Sequence, residues 1–142
     1  MNSREALTRA IQIASVAHRD QTDKTGLPFI RHCERVAGGV EGDAGKTLAY
    51  LHDVVEKAPD WSLSRLAEEG FSAGIVAAVE AMTRREGEDD SGFVRRAASN
   101  QLARLVKRAD LEDNLHQLQS VGGDASKYRR GLDILRDEFG CA

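Results

Sequence analysis

The run Leu48-Ala49-Tyr50-Leu51-His52-Asp53-Val54-Val55-Glu56 sets the fold class. Leu48, Leu51 and Val55 recur at intervals of three and four, the period of an amphipathic helix. His52 and Asp53 fall inside this apolar run. Burying them is costly unless a partner satisfies both, and a divalent metal suits an imidazole and a carboxylate together. The pattern predicts a helix from about Ala44 that ends before Pro59, because the residue before a proline is turned away from helical geometry. It places His52 and Asp53 in the middle of that helix.

Outward from this segment the chain reads as helices. Asn2 or Ser3 caps a first one, with Leu7, Ala10, Ile13 and Ala14 on its apolar stripe. Residues 18–26 form a polar connector, and Pro28 suits the first turn of a second helix through Ile30 and Val36. Ser62 caps a short helix that stops at Gly70, and Ser72 opens another through Met82. Residues 84–92, with Glu86, Glu88, Asp89 and Asp90 close together, read as a mobile loop. Asn100 caps a long helix broken at Gly122-Gly123, and Asp124 caps a last one carrying Tyr128, Leu132, Leu135 and Phe139. There is no strand alternation and no repeat. The expectation is an all-α bundle in one domain, residues 1–142.

Composition narrows the function classes. The net charge of −3, with 30% charged residues, lacks the basic balance of a nucleic-acid binder. The apolar runs are too short for a membrane span, and the start of the chain has no apolar signal core. The two cysteines, Cys33 and Cys141, are far apart and in no metal-binding spacing, which suits a reduced cytoplasm. Oligomeric state is left open.

Two more candidate ligands occur in similar apolar settings. His32 follows Phe29-Ile30-Arg31, and Asp110 lies within Leu105-Val106-Lys107-Arg108-Ala109-Asp110-Leu111. Three helices meeting at a bundle centre would join His32, His52, Asp53 and Asp110. Nitrogen and oxygen ligands without a thiolate suit Mn²⁺, Fe²⁺ or Zn²⁺. Four protein ligands on a six-coordinate ion leave two positions for water and substrate, the arrangement of a hydrolytic site. Glu56, four residues after His52, is placed to accept a proton. Asn114, four after Asp110, faces the same way for a substrate. Lys24, Lys107 and Arg108 offer charge to phosphate oxygens.

Three segments carry a resemblance. Gln21-Thr22-Asp23-Lys24-Thr25-Gly26-Leu27-Pro28-Phe29-Ile30-Arg31-His32 resembles the opening motif of the HD-domain alarmone hydrolases, the small stand-alone enzymes and the hydrolase domain of Rel/SpoT proteins. Leu51-His52-Asp53-Val54-Val55-Glu56 resembles their HD motif. Val106-Lys107-Arg108-Ala109-Asp110-Leu111-Glu112-Asp113-Asn114 resembles their last ligand motif. The resemblance implies an HD-type helical bundle with one central Mn²⁺ held by His32, His52, Asp53 and Asp110. It implies hydrolysis of the 3′-pyrophosphate of guanosine tetra- or pentaphosphate, with Glu56 assisting the attacking water and Lys24 and Asn114 at the nucleotide; Asp53 is assigned beside Glu56 as catalytic, and Lys107, for its charge, as a substrate contact.

The chain departs from that pattern at three places. Lys57 stands where the family has an acid, a reversal worth roughly 3 kcal/mol per unit charge at about 6 Å before screening. Asp23 replaces an Arg able to stack on guanine, and Phe29 replaces a Tyr. All three are assigned to the substrate side, so the nucleotide specificity is expected to have drifted. The alternatives are a phosphatase for another phosphorylated nucleotide, such as a nicotinamide dinucleotide with an extra phosphate, or a weakened domain acting as a nucleotide sensor or protein-binding module. His18 and His116 are read as helix-end or surface residues. Glu112 and Asp113 are read as solvated or helix-pairing, Cys33 as core, and Trp61 as packing beneath a loop. Arg84-Arg85, with the acids that follow, are read as a solvated loop or a lid.

Overall fold

The computed structural model describes residues 1–141. Its helices are α1 Ser3–Ala17, α2 Ile30–Gly38, α3 Gly42–Leu51, α4 Val54–Lys57, α5 Leu63–Glu68, α6 Ala73–Ala81, α7 Asp90–Ala98, α8 Gln101–Val121 and α9 Ser126–Phe139. Among the described residues there is no strand, only one isolated bridge between Thr22 and Pro28. No helix among them is long and apolar enough to cross a membrane. The all-helical fold expected from periodicity is the one observed.

Local chemistry explains most helix starts. The Asn2 side chain accepts from the Glu5 N–H while Glu5 reaches back to the Asn2 N–H, a reciprocal cap. Ser62, Ser72 and Asn100 each accept an N–H three residues on. Asp124 accepts from the Ser126 N–H and hydroxyl just ahead of α9.

The core lies where α3 and α8 cross beneath α1, α2 and α6, around Ile13, Val36, Leu48, Leu51, Val79 and Val106, all nearly inaccessible. A second small cluster, Val94, Ala98, Leu111 and Leu135, joins α7 and α9 to α8. Two glycines let helices approach closely. A Cβ on Gly39 would lie 3.1 Å from Ala109 Cβ, so α2 meets α8 one residue before Asp110. A Cβ on Gly131 would lie 3.0 Å from Leu111, so α9 also meets α8 beside Asp110.

Two expectations are corrected. The helix through His52 is not continuous: α3 ends at Leu51, and Asp53 sits at φ −108°, ψ 0° before α4 restarts. The His52 Nδ1 takes the Ala49 carbonyl at 2.6 Å, the acceptor that an unbroken helix gives to the Asp53 N–H. The pair is therefore at a joint between helices, not in the middle of one.

The second correction concerns residues 84–92. Residues 84–89 are a loop with Glu86 and Asp89 exposed, but α7 begins at Asp90, inside the span read as loop, and the loop is tied down by ion pairs. Glu88 makes a two-point pair with Arg96 at 2.8 and 2.9 Å, and Arg84 holds the Glu88 carbonyl and Asp90. The Arg96 guanidinium holds the Glu88 carboxyl down at about 2. Asp89 caps α7, an element the sequence reading left unassigned, by accepting the Gly92 N–H at 2.7 Å. Phe93, Val94, Ala97 and Ala98 bury its inner face.

Candidate metal centre and anion cavity

His32 comes from α2, His52 and Asp53 from the α3–α4 joint, and Asp110 from α8. One ligand atom from each can be chosen so that all lie within 4.8 Å of one another. His32 Nε2 is 3.0 Å from Asp110 Oδ1. His52 Nε2 is 3.0 Å from Asp53 Oδ2 and 3.3 Å from Asp110 Oδ1, aligned with neither for a hydrogen bond.

The other ring nitrogens fix the tautomers. His32 Nδ1 lies 2.6 Å from Asp113 Oδ2, and His52 Nδ1 lies 2.6 Å from the Ala49 carbonyl. Each Nδ1–H therefore has its acceptor, and each Nε2, facing carboxylate oxygens, holds a second proton or, when deprotonated, offers its lone pair to an ion. Lone pairs converging in a buried site repel unless a proton or a cation lies between them. The orphaned His52 Nε2, less than 2% exposed as a residue, is the observation that fits these four residues to one divalent ion.

The titration of the group has the same origin. Burial opposes charge on His52, but Asp53 and Asp110 overcome it and hold the imidazole well above its usual range. Burial likewise opposes ionisation of Asp110, and Lys107 and His52 overcome it and hold the carboxyl well below its usual range. Protons on the histidines thus balance the carboxylates in the metal-free protein. Ion binding must displace them, so affinity rises with pH.

His32, Asp53 and Asp110 of the cluster lie in the wall of a cavity of about 290 Å³. Its lining includes Glu56, Lys57 and Phe29, Lys24 and Asn114, and Lys127 and Tyr128 of α9. Lys107 and Arg84 complete it beside Phe93. Lys24, Lys57 and Lys127 have no carboxylate partner among the described residues. Lys24 Nζ instead donates to Asn114 Oδ1 at 2.8 Å, and Lys57 Nζ stands 5.2 Å from the Phe29 ring. Lys107 is only 6% exposed, 3.3 Å from Asp110 and over Phe93. Glu56 forms no ion pair among the described residues. The arrangement suits an anion with several negative charges above the ligand cluster.

The structure brings all the sequence-assigned site residues to this cavity except His52, which is buried in the ligand cluster without lining the cavity, Arg108 and Asp23. Arg108 pairs with Glu112 at 3.5 Å and does not line it. Asp23 is no substrate-side substitution. It is buried, accepts from Thr25 N–H, Thr25 hydroxyl and Leu27 N–H, and pairs with Arg35 at 2.9 Å.

Asp113 is a further correction. It is buried, not solvated, and accepts from His32 Nδ1, from Arg35 Nε at 2.7 Å and from Gln117 Nε2 at 2.7 Å. Its place three residues after Asp110, on the same face, is the signal that could have found it. His18 ends α1 but is buried, its ring tilted at 51° against Phe29 with centroids 4.6 Å apart. Lys127 and Tyr128 escaped the sequence reading because only the packing of α9 on α8 aims them here. Cys33 is core as expected, and burial pushes its thiol up to about 12. Trp61 packs against the main core and beneath Arg65, whose guanidinium is 3.8 Å from its ring centroid.

Asp113 carries a pH prediction. Burial opposes its ionisation, but the hydrogen bonds from His32, Arg35 and Gln117 bring its carboxyl down to about 2. A carboxyl depressed on folding adds stability above its unfolded value near 4 and loses it as pH falls toward 2. Two units correspond to about 2–3 kcal/mol. Asp113→Asn should flatten the acid limb of a urea-melt stability profile between pH 4 and 2 and weaken metal affinity about 10- to 100-fold. An unchanged acid limb would show that the carboxylate contributes nothing to folding.

Fold and site together define an all-helical domain with one His₂Asp₂ cluster under a lysine-rimmed cavity. A solved structure of a metazoan ortholog of SpoT, one that hydrolyzes ppGpp and plays a role in starvation responses, matches 96% of this chain and 97% of its own, with a TM-score of 0.71 and 24% identity. At that identity the likeness establishes the shared fold. No family model matches the chain, and no curated protein matches it.

Proposed function

We propose that the chain is a single metal-dependent phosphohydrolase domain that releases pyrophosphate from a polyphosphorylated nucleotide, guanosine 3′,5′-bis(diphosphate) foremost, using Mn²⁺. The carrying observation is the four-residue cluster, three of whose members line a cavity also lined by three lysines that have no carboxylate partner among the described residues. The fold match to a protein described as hydrolysing ppGpp supports the choice of nucleotide.

The ion, when bound by His32, His52, Asp53 and Asp110, supplies Lewis acidity and an activated water. This chain's residues do the rest. Lys24, held by Asn114, receives phosphate oxygens, and Lys57 and Lys127 offset the remaining charge. Glu56, free of ion pairs among the described residues, takes the proton from the attacking water, beside Asp53. Phe29 and Tyr128 give apolar walls for the nucleoside. Lys57 favours a highly charged anion, which ranks the bis(diphosphate) above a phosphorylated nicotinamide dinucleotide, a less charged ligand and the second substrate to test.

The test is turnover of guanosine tetraphosphate with Mn²⁺, followed by anion-exchange chromatography beside Glu56→Ala and Asp53→Ala. Guanosine diphosphate and pyrophosphate should form with the wild type and with neither variant. Stoichiometric metal binding without turnover of this or the dinucleotide would leave the sensor reading in its place.

A further inference from the structure

Gln117 lies on α8 seven residues after Asp110, is 2% exposed, does not line the cavity and meets the cluster only at the outer nitrogen of His32, with its Nε2 3.2 Å from His32 Nδ1. Both ends of its amide are committed. Its Oε1 accepts the Lys24 backbone N–H at 2.9 Å, and its Nε2 donates to Asp113 Oδ2 at 2.7 Å. That same Asp113 oxygen is 2.6 Å from His32 Nδ1. The amide cannot turn over, because the N–H of Lys24 needs an oxygen and Asp113 needs a donor.

A second arm runs in parallel. Arg35 Nε donates to Asp113 Oδ1 at 2.7 Å, and its terminal nitrogen donates to Asp23 Oδ2 at 2.9 Å. The other Asp23 oxygen closes the turn that carries Lys24, through Thr25 and Leu27. The lysine that meets the anion and the histidine that meets the ion are thus anchored to one carboxylate from two directions.

We infer that Gln117 is a positioning residue which, with Asp113 and Arg35, couples the His32 arm of the metal centre to the Lys24 turn, so that metal affinity depends on a turn that touches no ligand. This rests on the functional reading above. The bonds are buried at the His32–Asp113–Gln117 end and half-buried at the turn, and with both partners fixed they transmit displacement because neither end relaxes without stranding a polar group. Loosening the Lys24 turn therefore loosens His32, and an ion that fixes His32 stiffens the turn.

Two readouts test this without turnover: Mn²⁺ affinity from the paramagnetic signal of free Mn²⁺, and hydrogen exchange of residues 23–27 by mass spectrometry. Gln117→Met keeps the volume and cuts the first arm. Asp23→Asn cuts the second at a site outside the cavity and stands in should Gln117→Met not fold. Each should weaken Mn²⁺ binding about 10-fold. Mn²⁺ should slow exchange of residues 23–27 in the wild type and do so markedly less in either variant, with residues in α9 unaffected. Wild-type Mn²⁺ affinity in both variants, with the same metal-dependent slowing, overturns the coupling and leaves the functional reading standing. No Mn²⁺ binding by the wild type overturns both, whereas coupled binding without nucleotide turnover overturns only the substrate assignment.

Discussion

Asp110→Asn should abolish stoichiometric Mn²⁺ binding and lower the stability of the metal-free protein by about 3 kcal/mol. The carboxylate is the centre of the cluster: one oxygen lies 3.0 Å from His32 and 3.3 Å from His52, the other 3.3 Å from Lys107. Asparagine keeps the shape and loses the charge. Lys107, buried at 6% exposure, is then a cation without a carboxylate, and breaking one side of a buried pair costs about 3–5 kcal/mol. The packing of Lys107 over Phe93 at 4.1 Å softens the loss toward the low end. Equilibrium dialysis and urea melts measure the two effects on one preparation. Metal bound at one equivalent by the variant would mean that Asp110 serves an ion-pair network rather than an ion.

Glu56→Gln should cut turnover of guanosine tetraphosphate about 10²- to 10⁴-fold, the usual worth of a positioned general base, and leave Mn²⁺ affinity and KM nearly unchanged. The separation follows from the position of Glu56. It borders the cavity but is no part of the four-residue cluster, and it carries no structural ion pair among the described residues. Glutamine preserves size and hydrogen-bonding reach while removing the basicity. Steady-state kinetics with metal titration distinguishes the outcomes. A large loss of metal affinity would make Glu56 a ligand, and a rise in KM alone would make it a substrate contact.

The candidate ligand set was legible in one sequence because each member is a polar residue set in an apolar period and the three motifs that carry them stand in order; alone, none of them separates a ligand from a structural polar residue. His32, His52, Asp53 and Asp110 all meet that description, and they converge. The caps at Asn2, Ser62, Ser72 and Asn100 were readable for a similar reason: a single side chain satisfies a nearby N–H. What escaped depends on contacts distant in sequence. The acids of residues 84–92 look solvated until Arg96 is seen to close on Glu88. Asp23 looks like a lost base-stacking arginine until Arg35 is seen beneath it. Lys127 and Tyr128 enter the cavity only because Gly131 lets α9 lie against Leu111. The break after Leu51 turns on one side-chain bond, from His52 to Ala49, that no periodicity encodes.

Helix α8 carries Lys107, Asp110, Asp113, Asn114 and Gln117 along one stripe, in contact with the ion site, the anion cavity and the Lys24 turn at once. Mutational tolerance is therefore distributed unevenly over the molecule. The outward side of α1, where Ile11 and Val16 already stand exposed, can absorb change with little consequence. On α8 a one-residue insertion before Lys107 would rotate the whole stripe by about 100° and disarm every one of these contacts together. The chain concentrates its functional information in a single helical register, so its vulnerability is to frame within that helix more than to any one side chain.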